Sequence, residues 1–168
     1  MRAVPADGGP WLGHTSGELS LMSIVAVLGA GAVGARVARQ LLTSAAVEQV
    51  VLRDISAERL ARASRSLGDR CRVEHHPFSD SLEADVVVMA TPVGTRLEAV
   101  SETIAARRPA VLVGDGLAET IAVLRRSGDA ARAGVPIAVG CGFGPGMSCV
   151  LAAHGASWFD EVEEVHVA

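Results

Sequence analysis

From residue 23 onward, short apolar runs alternate with stretches of helical period. Residues 24–28 (IVAVL) form a β-rich run, and residues 33–44 carry apolar positions at helical spacing before ending in small polar residues. Residues 49–53 read as a second strand. Ser56 is placed to cap a helix reaching about Leu67, with Glu58 in its first turn and Gly68 at its end. Residues 72–75 make a weak third strand. Residues 86–89 (VVVM) make a strong fourth, too apolar to be half exposed. A helix over residues 95–107 stops at Pro109. Residues 110–113 are a fifth strand, and 117–133 are helical with a break expected at Ser127-Gly128-Asp129. Residues 137–139 are a sixth strand, 147–154 a short helix, and 162–167 a final strand.

This alternation predicts an α/β fold: a doubly wound, Rossmann-type parallel sheet with helices on both faces. Residues 1–22 read differently, with Gly, Pro and polar residues and no sustained period. They are expected to be a disordered extension, leaving residues 23–168 as the folded domain. Docking of this tail through Trp11 is the alternative. A chain starting at Met22 is expected to fold and bind equally well.

Composition narrows the function. The 168 residues are enough for one domain with its own core. The net charge of -4 and the scattered Lys and Arg speak against nucleic acid or a membrane surface as partner. The pairs Arg107-Arg108 and Arg125-Arg126 are expected near helix ends or on solvated faces. Three cysteines, Cys71, Cys141 and Cys149, make a poor disulfide framework and a poor zinc site, so no metal is expected. They read as free thiols in a cytoplasmic protein.

The residues Gly29-Ala30-Gly31-Ala32-Val33-Gly34 match G-x-G-x-x-G, between a strand and a helix. In that context Gly29 permits the turn, Gly31 leaves room for a pyrophosphate, and Gly34 lets the helix approach the sheet. Unpaired N–H groups and the positive helix end then meet the phosphates. Asp54 ends the second strand, 20 residues beyond Gly34, where an acid hydrogen-bonds the adenosine ribose. A carboxylate there repels a 2′-phosphate, which favours NAD, with NADP as the alternative. The other role open to Asp54 is capping the following helix. Arg53 should point away from the ribose, because strand neighbours face opposite sides.

Ligands of open parallel sheets bind beyond the carboxyl ends of the strands. The fourth strand delivers Ala90, Thr91 and Pro92 there, either beside the nicotinamide side of a cofactor or as an ordinary turn. Asp115, between two glycines, reads as a turn residue more readily than as a substrate contact. The sixth strand leads into GCGFGPGMS at residues 140–148, a loop that brings backbone close to something. Cys141 reads as a buried structural thiol more readily than as a nucleophile, since no base accompanies it. Adjacent His75 and His76 diverge and are expected in solvent.

On these residues, from about Ile24 to Ala168, the chain resembles the saccharopine dehydrogenase-like proteins in their N-terminal nucleotide-binding domain. The carriers are GAGAVG, ATPVG at residues 90–94 and GCGFGPGMS at residues 140–148. The resemblance implies an NAD(P)-linked oxidoreductase acting at an amine- or imine-bearing carbon. It also implies a substrate domain that would begin near residue 165, so this chain is expected to be incomplete as an enzyme, with a missing C-terminal domain or self-association into homo-oligomers. The alternative from another class is a non-catalytic NAD-sensing regulatory module. The catalytic residues are left unassigned.

Overall fold

The apolar runs become the strands of one parallel sheet. The structure, a computed structural model, describes residues 23–76, 83–114, 116–144 and 146–166. In chain order the elements are β1 (Ser23–Leu28), α1 (Ala32–Leu41), β2 (Val47–Asp54), α2 (Ala57–Ser64), β3 (Cys71–His75) and β4 (Val86–Met89). There follow α3 (Arg96–Ala105), β5 (Ala110–Leu112), α4 (Leu117–Leu124), α5 (Ser127–Ala133), β6 (Ile137–Ala138) and α6 (Met147–Ala156). The sheet order is β3-β2-β1-β4-β5-β6, with every pairing parallel. The chain winds outward from β1 to β3, crosses back, and winds outward again from β4 to β6. This is the Rossmann order, and its switch point lies between β1 and β4.

Strand pleating builds the two helix-covered layers. On β4, Val88 faces one core, whereas Val87 and Met89 face the other. The first core joins Val25, Val27, Val50 and Leu52 to Ala38 of α1 and to Leu60 and Ala63 of α2. The second joins Leu28, Val87, Met89 and Leu112 to Ala99 and Val100 of α3 and Val123 of α4. Each fully buried Val or Leu contributes about 1.5–3 kcal/mol, so β1 and β4, buried on both faces, anchor the domain. Ser56 caps α2, accepting from the Arg59 N–H (3.3 Å), as its position in the sequence predicts.

Two expectations are corrected. The helical break falls at Arg125-Arg126, between α4 and α5, and Ser127, Gly128 and Asp129 form the first turn of α5. Ser and Asp favour helix N-termini, so these residues start a helix where the sequence suggested an interruption. Residues 161–166 form no strand. A strand needs a paired neighbour, and this segment follows α6 with Val162 and Val165 exposed. The spacing of those valines is also not the period of two that a half-buried strand requires. The expected tail at residues 1–22 and the strand end at Val167 lie outside the described residues.

Helix α3 closes in a way the sequence does not announce. Arg107 adopts φ +53, the Arg108 N–H donates to the Thr103 carbonyl (2.8 Å) and the Arg107 N–H to that of Ile104 (3.1 Å). This is a Schellman closure, made at the end of α5 with Gly134 at φ +70. A left-handed non-glycine residue costs about 1–2 kcal/mol, and the entropy of glycine offsets about 0.5–1 of that. Arg107→Gly is therefore expected to raise stability by up to about 1 kcal/mol. Urea unfolding checks this, and a loss of stability contradicts it.

Candidate functional site

A cleft of about 860 Å³ opens over the carboxyl ends of β1, β2 and β4. Gly29, Ala30, Gly31 and Ala32 form its floor at the β1–α1 turn. Gly29 has φ +98, and a Cβ there would stand 2.5 Å from the Ala90 carbonyl oxygen. Only glycine fits this turn. A Cβ on Gly34 would collide with the Gly29 carbonyl, so Gly34 sets the close approach of α1 to the loop. Gly31 is different: a Cβ there would meet nothing within 4 Å, because the space in front of it is cleft.

Gly31 is also the N-cap of α1, where no side chain caps the helix and no acid lies in the first turn. The orphan N–H groups and the positive end of the helix are thus open to an anion. Of the six motif residues, Gly29 to Ala32 line the cleft and Val33 lines a neighbouring hollow. Gly34 is buried beneath them.

Asp54 is only 3% exposed. Its Oδ2 accepts from the Ala30 N–H (2.7 Å) and its Oδ1 from the Ser56 N–H (2.7 Å). One carboxylate thereby ties the β1–α1 turn to the β2–α2 turn. The cap of α2 is Ser56, so Asp54 braces the two turns and does not cap the helix, and it lines the cleft as well. Arg53 points away, as strand alternation requires, and pairs with Glu74 of β3 (Nε to Oε2, 2.9 Å).

Ala90, Thr91 and Pro92 line the cleft from the end of β4. The Thr91 and Thr95 hydroxyls share a hydrogen bond of 2.9 Å. Beneath them lies an ion pair missed at the level of sequence. Arg96 and Glu119 have side chains 5% and 7% exposed, with Nη1 and Oε2 3.1 Å apart. That contact lacks hydrogen-bond alignment. Oε1 takes the well-formed bonds, from the backbone N–H groups of Gly94 (3.0 Å) and Arg96 (2.9 Å). Arg96 Nε donates to the Thr91 carbonyl (3.1 Å). The guanidinium also fills the place that a Cβ on Gly114 would need. The pair therefore positions the ends of β4 and β5 together. Arg39, Arg59 and Arg62, which also line the cleft, were missed too. Their signal was arginine at helical spacing on the two helices that flank the first two turns.

Residues 140–144 and 146–148 fold back on themselves. The Met147 N–H donates to the Gly142 carbonyl (2.9 Å) and that of Ser148 to Phe143 (2.8 Å). Gly146 has φ +128, and a Cβ there would meet the Gly140 carbonyl at 2.7 Å. Gly142, Phe143 and Gly144 join Val33, Ala90, Thr91, Val113 and Gly114 around a second hollow of about 270 Å³. Ala90 and Thr91 border both spaces, so the hollow continues the cleft toward β5. Asp115 lies outside the described residues. Cys141 is exposed, contrary to the buried thiol expected, because the loop turns outward directly after its N–H bonds Leu112 (3.1 Å). The described cysteines are free, and burial pushes the Cys71 thiol up. His75 Nε2 contacts the Ile55 carbonyl (2.9 Å) from an exposed position. Among the described residues no helix is long and apolar enough to cross a membrane.

A family model described as NADP oxidoreductase coenzyme F420-dependent matches residues 24–118. The chain belongs to this family. The match spans β1 through the start of α4, and with it every residue that lines the larger cleft. Among solved structures, GenD2 from gentamicin A biosynthesis, in complex with NAD, is 24% identical with a TM-score of 0.64. The alignment covers 84% of this chain and 40% of that one. Saccharopine dehydrogenase (L-Glu forming) from Saccharomyces cerevisiae is 16% identical with a TM-score of 0.66, covering 81% of this chain and 31% of that one. The scyllo-inositol dehydrogenase from Lactobacillus casei, with bound NAD(H) and scyllo-inositol, is 16% identical with a TM-score of 0.58. There the coverage is 71% and 36%. At these identities the likeness is one of fold, and the chain spans 40% or less of each protein's length. Among curated proteins no sequence matches. The chain is thus an NAD(P)-binding oxidoreductase domain of Rossmann fold.

Proposed function

We propose that this chain is the cofactor-holding part of an oxidoreductase that transfers a hydride at an amine- or imine-bearing carbon. The observation that carries the reading is the continuity of the cleft with the hollow beside Phe143. The open space at Gly31 and the uncapped end of α1 fit a pyrophosphate. Gly29, Ala30, Gly31, Ala32, Val33 and Gly34 form and support that end, Asp54 braces it, and Ala90, Thr91 and Pro92 border the path toward the nicotinamide. The bound dinucleotide supplies a hydride donor or acceptor at its nicotinamide C4. The chain's own groups bind it, orient it and keep water from one side of it. The amine or imine carbon rests on the resemblance to saccharopine dehydrogenase-like proteins. Coenzyme F420, in the family's description, is a second hydride partner to test.

One observation favours the non-catalytic alternative. The described lining of the hollow carries no titratable side chain. Among the described residues, therefore, no acid or base lines the hollow where a substrate carbon would sit. In the reading we favour, a further domain, made of residues beyond those present here, supplies that group and the second wall of the site. Residues 23–168 then form a single cofactor domain, with residues 1–22 outside it.

Residues 1–168 are accordingly expected to bind a nicotinamide dinucleotide without appreciable turnover. Catalysis needs the substrate held at near-attack distance with water excluded, and one sheet offers one wall. Self-association is also expected. Its basis is the exposed apolar surface of Phe143, Met147, Val150, Leu151, Trp158 and Phe159. Light scattering and a nicotinamide absorbance assay with amino acids, keto acids and coenzyme F420 check both statements. A monodisperse monomer with robust turnover overturns them.

A further inference from the structure

The hollow beside Phe143 continues the cleft but differs from it in its electrostatics. Its described lining is Val33, Ala90, Val113, Phe143 and three glycines, together with Thr91, whose uncharged hydroxyl is the polar side-chain group there. At about 270 Å³ it has room for a flat ring with a small substituent, since about 150 Å³ suffices for benzene. A nicotinamide is such a ring. Ala90 and Thr91 border both spaces, so a dinucleotide with its pyrophosphate at Gly31 has a continuous path for the ring into the hollow.

Two positive features flank this space. Val33 lies in the first turn of α1, which holds no acid and has no side-chain cap. The positive end of the helix is therefore not neutralised there. On the side of β5, a Cβ on Gly114 would run into the Arg96 guanidinium, so that cation stands directly behind the glycine. Glu119, which pairs with Arg96, is outside the lining and gives its Oε1 to the Gly94 and Arg96 N–H groups. Asp54 belongs to the cleft, and both its oxygens accept backbone N–H groups. Among the described residues no carboxylate lines the hollow. A nicotinamide ring carries a formal positive charge when oxidised and none when reduced. An apolar space without a counter-charge penalises the cation and leaves the neutral ring the gain of its burial.

We propose that this hollow holds the nicotinamide ring and selects its reduced, uncharged form, so that the domain draws the reduced cofactor from a mixed pool. The proposal rests on the dinucleotide-binding reading and adds a redox preference to it. A dehydrogenase built on this domain then begins its turnover carrying a hydride. A non-catalytic module built on it reports the reduced state.

Calorimetric titration of the full chain with NADH, NAD, NADPH, NADP and ADP-ribose tests the proposal. ADP-ribose keeps the adenosine and the pyrophosphate and lacks the ring. The reduced form of each dinucleotide that binds is expected to be held about tenfold more tightly than its oxidised form. NADH should also bind more tightly than ADP-ribose, and NAD no more tightly. Phe143 is 75% exposed, and Phe143→Glu places a carboxylate at the hollow. This variant should remove most of the difference by favouring the oxidised ring, whereas Phe143→Leu should keep it. Asp115, next along the chain from Gly114, is the acid nearest in sequence to the lining, and Asp115→Asn should leave the ratio unchanged. Equal affinities for the two redox forms, or tighter binding of the oxidised one, overturn the selection and leave the dinucleotide reading standing. NADH no tighter than ADP-ribose, or a ratio that Phe143→Glu does not move in a well-folded variant, overturns the hollow as the place of the ring. A ratio that Asp115→Asn changes overturns the absence of a counter-charge. Binding of none of the five overturns the dinucleotide reading itself. Circular dichroism of each variant separates these outcomes from misfolding.

Discussion

Gly31→Val is expected to abolish dinucleotide binding while the domain remains folded. Gly31 has φ -70 and ψ -173, an extended conformation that valine adopts without strain. The space in front of it holds no protein atom within 4 Å of a Cβ. The added side chain would stand where the pyrophosphate approaches the first-turn N–H groups. Losing two charge-assisted hydrogen bonds, at about 1.5–3 kcal/mol each, weakens binding by about 100-fold or more. The cost to folding is that of a poorer N-cap, about 1 kcal/mol or less. Gly34→Val is the informative contrast, because its side chain would collide with the Gly29 carbonyl and should unsettle the fold itself. Calorimetry with both reduced cofactors, together with thermal unfolding, reads the two effects separately. Unchanged affinity in a well-folded Gly31→Val would remove the loop from the site.

Glu119→Ala is expected to destabilise the domain by about 3–5 kcal/mol, the range for removing one partner of a buried ion pair. The substitution leaves the Arg96 cation buried, with the Thr91 carbonyl as its hydrogen-bond acceptor among the described residues. It also strips the N–H groups of Gly94 and Arg96 of the oxygen they share. Domains of this kind have about 5–15 kcal/mol in hand, so a loss of this size is plain in urea unfolding. The double variant Arg96→Met/Glu119→Leu should recover a large part of it, because no charge is then left buried. Glu119→Gln, which keeps an oxygen for the two N–H groups, should lose less than the alanine variant. A loss below about 1 kcal/mol for Glu119→Ala would show that water reaches the pair and that it does not hold the strand ends together.

The fold was legible because its signals are local. The apolar runs at residues 24–28 and 86–89 are continuous, and strands buried on both faces require that. The glycines at 29, 31 and 34 announce a turn that only a close helix and strand can use. Ser56 announces its helix because its hydroxyl meets an N–H three residues on. The final strand was misread for the same reason: β-forming residues at 162–167 carry a local preference, and nothing in the sequence says whether a neighbouring strand is there to pair with. Cys141 was misread because its burial depends on where a glycine-rich loop turns, not on its own chemistry.

The candidate site was legible only where one segment makes it. Residues 29–34 and 90–92 were found because turns at strand ends declare themselves. Asp54 was found by its distance from Gly34, yet its two backbone partners come from different turns, 24 residues before it and two after. That it braces two turns, while Ser56 caps the helix, is a matter of how those turns meet. The Arg96–Glu119 pair joins residues 23 apart on different helices, and the three arginines of the cleft come from two helices whose rotation is set by packing. A sequence states which residues share a helix face. Only the packed structure decides what that face looks at, because the rotation of each helix follows from the cores on both sides of the sheet. The sequence by itself determined the strand order's ingredients, the glycine turn between β1 and α1 and the acid at the end of β2. The tertiary structure decided the charge around the cleft, the buried pair beneath it and the exposed apolar face of α6.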